Sequence, residues 1–211
     1  MKYPQARLLL LTKAPEPGKV KTRLGSHLGM EAAADIYEKL VHECLTTCVA
    51  AKLCPIDIWC DPSPDHPFFR HCSNQYETGL RQQVSGNLGL RMSQAVRSTL
   101  QFADHVVLIG ADCPTLTAGD LDAALYALQE GSDVVLGPAE DGGYYLIGMS
   151  RYHPALFEDV PWSTRSVLEV TEKRLQQLQL KWLCLTERKD IDTIDDYAEY
   201  LKNVITVATT E

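Results

Sequence analysis

Val106 to Leu116 reads VVLIGADCPTL, and this stretch decides the architecture of the 211-residue chain. Four apolar residues in succession, three of them β-branched, suit a strand buried on both faces, as in a parallel sheet covered by helices. The strand stops at Gly110 and delivers Asp112 to a turn that Pro114 stiffens. Upstream, Leu88, Met92, Val96 and Leu100 recur every four residues, which predicts a helix over 88–102. Downstream, Thr117 with Asp120 three residues later makes a capping-box-like start for a helix that Gly131 ends. A helix, a central strand and a second helix in that order are the unit of an α/β fold.

The rest of the chain repeats the pattern. Arg7 to Thr12 (RLLLLT) is a second doubly buried strand, followed by a loop rich in Pro, Gly and Lys and a helix over 31–51. Pro55 to Cys60 is a strand, and a short helix or turn covers Phe68 to His71. Asp133 to Gly137 and Tyr144 to Gly148 are strands joined by six residues, too few for a helical crossover, so the two are expected to run antiparallel. Ser163 to Gln179 is an amphipathic helix, Lys181 to Leu185 a last strand, and Thr193 to Val204 a last helix. The expectation is one α/β domain over 1–211, a Rossmann-like three-layer α/β/α fold with a mostly parallel sheet and one antiparallel strand. Ligands of such sheets bind beyond the carboxyl ends of the strands.

Composition narrows the partners. With a net charge of −8, the chain lacks the cation excess on which nucleic-acid binding rests. No charged segment followed by an apolar run opens it, and no stretch approaches the roughly 20 apolar residues of a membrane span, so a cytoplasmic protein is expected. Seven cysteines without a CxxC pair read as free thiols, most of them core residues. Oligomeric state leaves no mark in the pattern.

Against this acidic background Thr12 to Gly25, TKAPEPGKVKTRLG, carries Lys13, Lys19, Lys21 and Arg23 beside Gly18, directly after the first strand. A phosphate chain is the natural partner of such a loop, although its spacing is neither that of a P-loop nor of the dinucleotide fingerprint. Asp112, at the end of the central strand, could join Mg²⁺ or Mn²⁺ to phosphate oxygens. In GPAEDGGYYLIG, Gly137 to Gly148, Asp141 precedes Gly142 and Gly143, where a ligand can approach backbone closely, and Tyr144 offers a ring to a sugar or base. Two roles stand for Asp141: a base toward an acceptor hydroxyl, or a contact to the donor's sugar. Asp192, in DIDTIDD, is either a second metal ligand or a neighbour of the Thr193–Asp196 helix cap. Trp162, in VPWST, either stacks on substrate or belongs to the core.

Taken together, K-x-P-x-P-G-K-x-K-T-R-L, G-x-D-C-P-x-L, G-P-x-x-D-G-G-Y-Y-L-I-G, P-W-S-T and D-I-D-T resemble the DUF2064 family, whose members are named from sequence as glycosyltransferases. The motifs stand in the family's order and span about the whole chain. The resemblance implies the nucleotide-diphospho-sugar transferase fold, with a nucleotide diphosphate over the first strand. It further implies a metal on Asp112, phosphate contacts from Lys21 and Arg23, and Asp192 as a second metal ligand. Where family members often read D-L-G-E-R-M, this chain has Asn87-Leu88-Gly89-Leu90-Arg91-Met92, which leaves Asn87 as the polar substrate contact of that segment. The function expected is metal-dependent transfer of a sugar from a nucleotide-sugar to a small-molecule acceptor. The alternatives are nucleotidyl transfer from a nucleoside triphosphate with release of pyrophosphate, and nucleotide binding without catalysis.

Overall fold

Residues that can satisfy a parallel sheet on both faces do so here. The computed structural model describes residues 1–208, with side chains described through Lys202. Strand β1 (Ala6–Lys13) sends Leu8 and Leu10 into one apolar cluster and Leu9 into another on the opposite face. Strand β4 (His105–Ile109) splits the same way, with Val107 and Ile109 on one side and Val106 and Leu108 on the other. Complete burial of such alternating residues is what makes their runs continuously apolar.

Seven strands form one sheet in the order β3-β2-β1-β4-β6-β5-β7, placing β4 at the centre as its composition implied. The others are β2 (Ile56–Asp61), β3 (Gly79–Gln82), β5 (Val134–Pro138), β6 (Tyr144–Met149) and β7 (Trp182–Cys184). β6 pairs antiparallel with both β4 and β5, and the remaining pairs are parallel. The short 138–143 connection therefore produced the one antiparallel strand expected of it.

Helices cover both faces. On one side α2 (Met30–Ala51), α3 (Pro67–Tyr76) and α5 (Ala118–Gln129) bury Leu45, Phe69 and Leu125. On the other, α4 (Leu88–Thr99) and α6 (Val167–Gln177) bury Val96 and Leu175. A third cluster joins α1 (Thr22–Leu28) through Leu24 to α2 through Ile36 and Leu40, with Ile191 and the start of α7 (Ile194–Ala208). That packing carries the segment before α7 back over the first loop.

Three elements differ from expectation. α1 forms inside what the Pro, Gly and Lys content marked as loop, because Leu24 finds a fully buried seat on α2. β3 lacks an apolar run, as a short edge strand can. α6 begins four residues after Ser163, whose φ of 65° breaks the helical path, while Thr164 turns its hydroxyl to the Pro161 carbonyl at 2.7 Å. The free cysteines are buried except Cys184. Among the described residues no helix is long and apolar enough to cross a membrane.

Candidate functional site

The carboxyl ends of the parallel strands share one rim with the β5–β6 connection, and three loops meet there. After β1, the loop descends to Lys21, which takes a left-handed backbone (φ 44°) and turns the chain into α1. The Lys21 side chain is only 4% exposed, and its Nζ lies 2.9 Å from Asp192 Oδ1 and 3.1 Å from Asp112 Oδ1. Burial alone would lower this ammonium's pKa; the two carboxylates outweigh it and hold the group well above its ordinary value. Asp112 comes from the turn after β4 and Asp192 from the segment after β7, which is stitched to that turn by Ile191 N donating to the Asp112 carbonyl at 3.0 Å. Residues 91 and 171 positions from Lys21 in sequence are thus brought to its ammonium.

Two adjoining clefts open around this ion cluster. The smaller, of about 310 Å³, is lined by Lys13, Lys21, Arg23 and Arg91 against the carboxylates Asp112 and Asp192. The larger, of about 780 Å³, reverses the balance: Arg23, Arg165 and Lys189 face Asp112, Glu140, Asp141, Asp190, Asp192 and Asp196. Asp112, Asp192 and Arg23 line both. Arg23 approaches Asp192 Oδ2 only to 3.8 Å and is largely solvent-exposed. A polyanion would therefore favour the smaller cleft, and a cation the boundary.

Under the smaller cleft, Tyr37 of α2 is a fixed support. Its hydroxyl lies 2.7 Å from Thr12 Oγ1 and accepts from Lys13 N at 3.2 Å, and burial pushes its phenol up to about 12. Thr12 is buried, so its contribution is its backbone, whose carbonyl accepts from Gln83 Nε2 at 2.8 Å. Lys13 is exposed at the cleft wall. Gly18 and Lys19 stand outside both clefts, Gly18 in a left-handed turn (φ 78°) and Lys19 ion-paired with Glu16.

In the larger cleft, Asp141 accepts from Gly143 N at 2.8 Å and lines the wall with Gly143, Tyr144 and Trp162. Gly142 is not a lining residue: with φ 87° it packs against Arg165, whose carbonyl oxygen would lie 2.2 Å from any Cβ added there. Trp162 packs edge-on against Tyr144 at 6.3 Å and donates to the Phe157 carbonyl at 3.3 Å. Its indole also requires Gly89, where an added Cβ would meet Nε1 at 2.0 Å. Core anchoring and cleft lining thus coincide in one side chain. Asn87 caps α4, accepting from Leu90 N at 2.9 Å, and lines neither cleft.

Asp190 is a feature the sequence reading passed over. It lines the larger cleft with Oδ1 enclosed and without a hydrogen-bond partner; burial first, then Asp112 and Asp141, push its carboxyl up to about 7. The D-x-D spacing of Asp190-Ile191-Asp192 was the available signal, masked by the helix-capping motif that follows it. That cap forms, with Asp196 accepting from Thr193 N at 2.8 Å, and Asp192 nevertheless reaches Lys21.

The model of the DUF2064 family, described as "Uncharacterized protein conserved in bacteria", matches residues 44–164. This chain belongs to that family. A crystal structure of a "putative nucleotide-diphospho-sugar transferase" from Desulfovibrio desulfuricans G20 is 32% identical to this DUF2064 chain, covers 92% of it and 85% of its own length, and superposes with a TM-score of 0.84. The 4-diphosphocytidyl-2C-methyl-D-erythritol synthase of Anaerococcus prevotii DSM 20548 is 11% identical, with 94% and 99% covered and a TM-score of 0.62. Glucosyl-3-phosphoglycerate synthase from Mycobacterium tuberculosis, in complex with Mn²⁺, UDP and glucosyl-3-phosphoglycerate, is 10% identical, with 93% and 75% covered and a TM-score of 0.58. The last two likenesses establish the fold. No curated protein matches the DUF2064 chain.

Whether the rim suits a divalent cation can be asked of its atoms. Among the described residues no group of three or more His, Cys, Asp or Glu side chains is arranged to hold a metal. Yet Asp112 and Asp192 each aim an oxygen at the Lys21 ammonium, both carboxylates are partly open to the clefts, and the enclosed Asp190 Oδ1 has no hydrogen-bond partner. Hard oxygen donors of this kind fit Mg²⁺ or Mn²⁺, whose remaining positions water and phosphate oxygens commonly fill.

Proposed function

We propose that this DUF2064 protein is a metal-dependent transferase acting on a nucleotide-diphosphate-sugar donor and a small-molecule acceptor. The observation that carries the reading is the convergence of Lys21, Asp112 and Asp192 from three loops, a buried ammonium against two half-open carboxylates, between a basic and an acidic cleft. The diphosphate lies along Lys13, Lys21 and Arg23. Asp112 and Asp192 hold Mg²⁺ or Mn²⁺, which would supply positive charge opposite the leaving diphosphate. Lys21, already desolvated, offers its ammonium to a phosphate oxygen without further loss of hydration. The sugar and acceptor occupy the larger cleft between Trp162, Tyr144 and Asp141, where Asp141 accepts the acceptor's hydroxyl proton.

Nucleotidyl transfer with release of pyrophosphate is the second reading. It is favoured by size, since the cytidylyl-type relative is matched over nearly its whole length while the glucosyl synthase carries additional chain. Incubating the protein with Mg²⁺ or Mn²⁺ and panels of nucleotide-sugars or nucleoside triphosphates, each with candidate acceptors, separates the readings. Free nucleoside diphosphate from nucleotide-sugars supports sugar transfer, and pyrophosphate from triphosphates supports nucleotidyl transfer. Binding without turnover across both panels would sink catalysis and leave a nucleotide-binding protein.

A further inference from the structure

A buried ammonium needs one opposite charge; Lys21 has two. Its side chain is almost wholly enclosed, whereas each carboxylate keeps 44% of its side-chain surface exposed toward the clefts. The ammonium therefore sits behind the pair, on the protein side, and already occupies the point where two carboxylate oxygens converge. A small divalent cation seeking those same oxygens would meet a fixed positive charge within a few ångströms. Like charges that close change a binding constant by more than about tenfold even at the dielectric of a protein surface. A phosphate chain alters the balance because it brings acceptors for the ammonium together with the cation.

We infer that Lys21 is an internal counter-cation that makes the Asp112–Asp192 pair poor at holding a bare divalent ion and good at holding one that arrives with a nucleotide. This rests on the function proposed above and assigns it an order of binding: the metal–nucleotide complex enters as a unit. On entry, Lys21 would turn its ammonium from the carboxylates to a phosphate oxygen, freeing Asp112 and Asp192 to hold the cation. No covalent bond changes. The four-carbon stem of Lys suits the shift, since the head group can turn while the buried stem stays packed. Lys13 and Arg23 cannot replace it: Lys13 has no carboxylate partner among the described residues, and Arg23 is an exposed side chain 3.8 Å from only one of the pair.

The experiment compares Mn²⁺ binding, read from the free-ion paramagnetic resonance signal, in the wild-type chain, Lys21→Met, Lys21→Arg and Asp112→Ala. Each is titrated with Mn²⁺ alone and with Mn²⁺ plus each nucleoside diphosphate in turn. Lys21→Met should bind bare Mn²⁺ at least about tenfold more tightly than wild type and Mn²⁺–nucleotide at least about tenfold more weakly. Lys21→Arg, which keeps the charge, should resemble wild type toward the bare ion. Equal or weaker bare-ion binding by Lys21→Met, with Mn²⁺–nucleotide still bound by wild type, overturns the inference and leaves the functional reading standing. Absence of Mn²⁺–nucleotide binding by wild type, with Asp112→Ala unchanged toward Mn²⁺, removes both. If Lys21→Met fails to fold in metal-free buffer, Mn²⁺ should restore its circular-dichroism signal by replacing the lost ammonium; failure to do so at Mn²⁺ levels that leave wild type folded also overturns it.

Discussion

Two ion clusters flank the end of the central strand, and they use similar residues to opposite ends. At the cleft, Lys21 faces Asp112 and Asp192, one buried cation against two half-open carboxylates. About eight residues further on, Arg188 faces Asp120 at 2.8 Å, one against one, and Asp120 also completes the α5 capping box by accepting from Thr117 N at 2.8 Å and Thr117 Oγ1 at 2.7 Å. The second cluster is balanced and turned inward. It fastens the segment leading to Asp192, since the Arg188 backbone also bonds to Pro138 O and Glu140 N, while Tyr145 donates to Thr186 O. The lesson is that excess negative charge remains at the proposed ligand site and is neutralised where the frame must hold.

The contrast breaks most visibly at Asp112. Asp112→Ala should weaken metal-dependent nucleotide binding by about 100-fold or more, the scale of losing one partner of a desolvated charge contact. Stability should change by no more than about 1 kcal/mol, because Lys21 keeps Asp192. Calorimetric titration with nucleotide and Mn²⁺, paired with urea unfolding, measures both; unaltered affinity would remove Asp112 from the site. The mirror experiment is Arg188→Met. Asp120 would be left nearly buried and without its cation, at a cost of about 2–3 kcal/mol, between the worth of exposed and of buried pairs. Urea unfolding should register that loss.

Acidity sharpens the same contrast. Against a desolvation that by itself would raise it, Arg188 and Thr117 hold the Asp120 carboxyl below its ordinary range. A group whose folded pKa is depressed contributes stability that is fully present above its unfolded value near 4 and is lost as pH falls through the lower, folded value. The stability gap between wild type and Arg188→Met should therefore stay constant from neutral pH to about 5 and narrow below about 4. Chemical denaturation across that range checks it; a gap that persists at pH 3 would mean that Arg188 acts through packing and not through charge.

Much of this was legible in the chain because burial on both faces leaves its mark in consecutive residues: RLLLLT and VVLIG state both the strand and its parallel setting. The antiparallel β6 followed from the brevity of 138–143. The residues gathered at the rim were legible as types, since Lys21, Arg23, Asp112, Asp141 and Asp192 all line the clefts. Their pairing was not, because it depends on Ile191, in the segment before α7, joining the buried cluster of Leu24 in α1, about 165 residues away with no local trace. Gly18, Lys19 and Asn87 carried the right chemistry for a ligand, but local geometry spends them on a turn, an ion pair with Glu16 and a helix cap. Asp190 shows the converse: its unpartnered oxygen and raised carboxyl pKa arise from enclosure, to which composition is blind.

Asn87 gives the smallest and most discriminating contrast, because the same residue fits two accounts with different consequences. As the cap of α4 it satisfies one of the orphan N–H groups that any helix start leaves, through its contact to Leu90 N. Asn87→Ala should then cost about 1 kcal/mol in urea unfolding, and Asn87→Asp or Asn87→Ser, which cap as well, should recover most of it. Nucleotide affinity should stay within about twofold for the three variants, far from the loss expected at Asp112, since the residue lines neither cleft. If Asn87→Ala instead lowered affinity about tenfold at unchanged stability, and Asn87→Ser failed to restore it, the side chain would have to leave the cap and reach the ligand, and the start of α4 would be a part of the site that moves on binding.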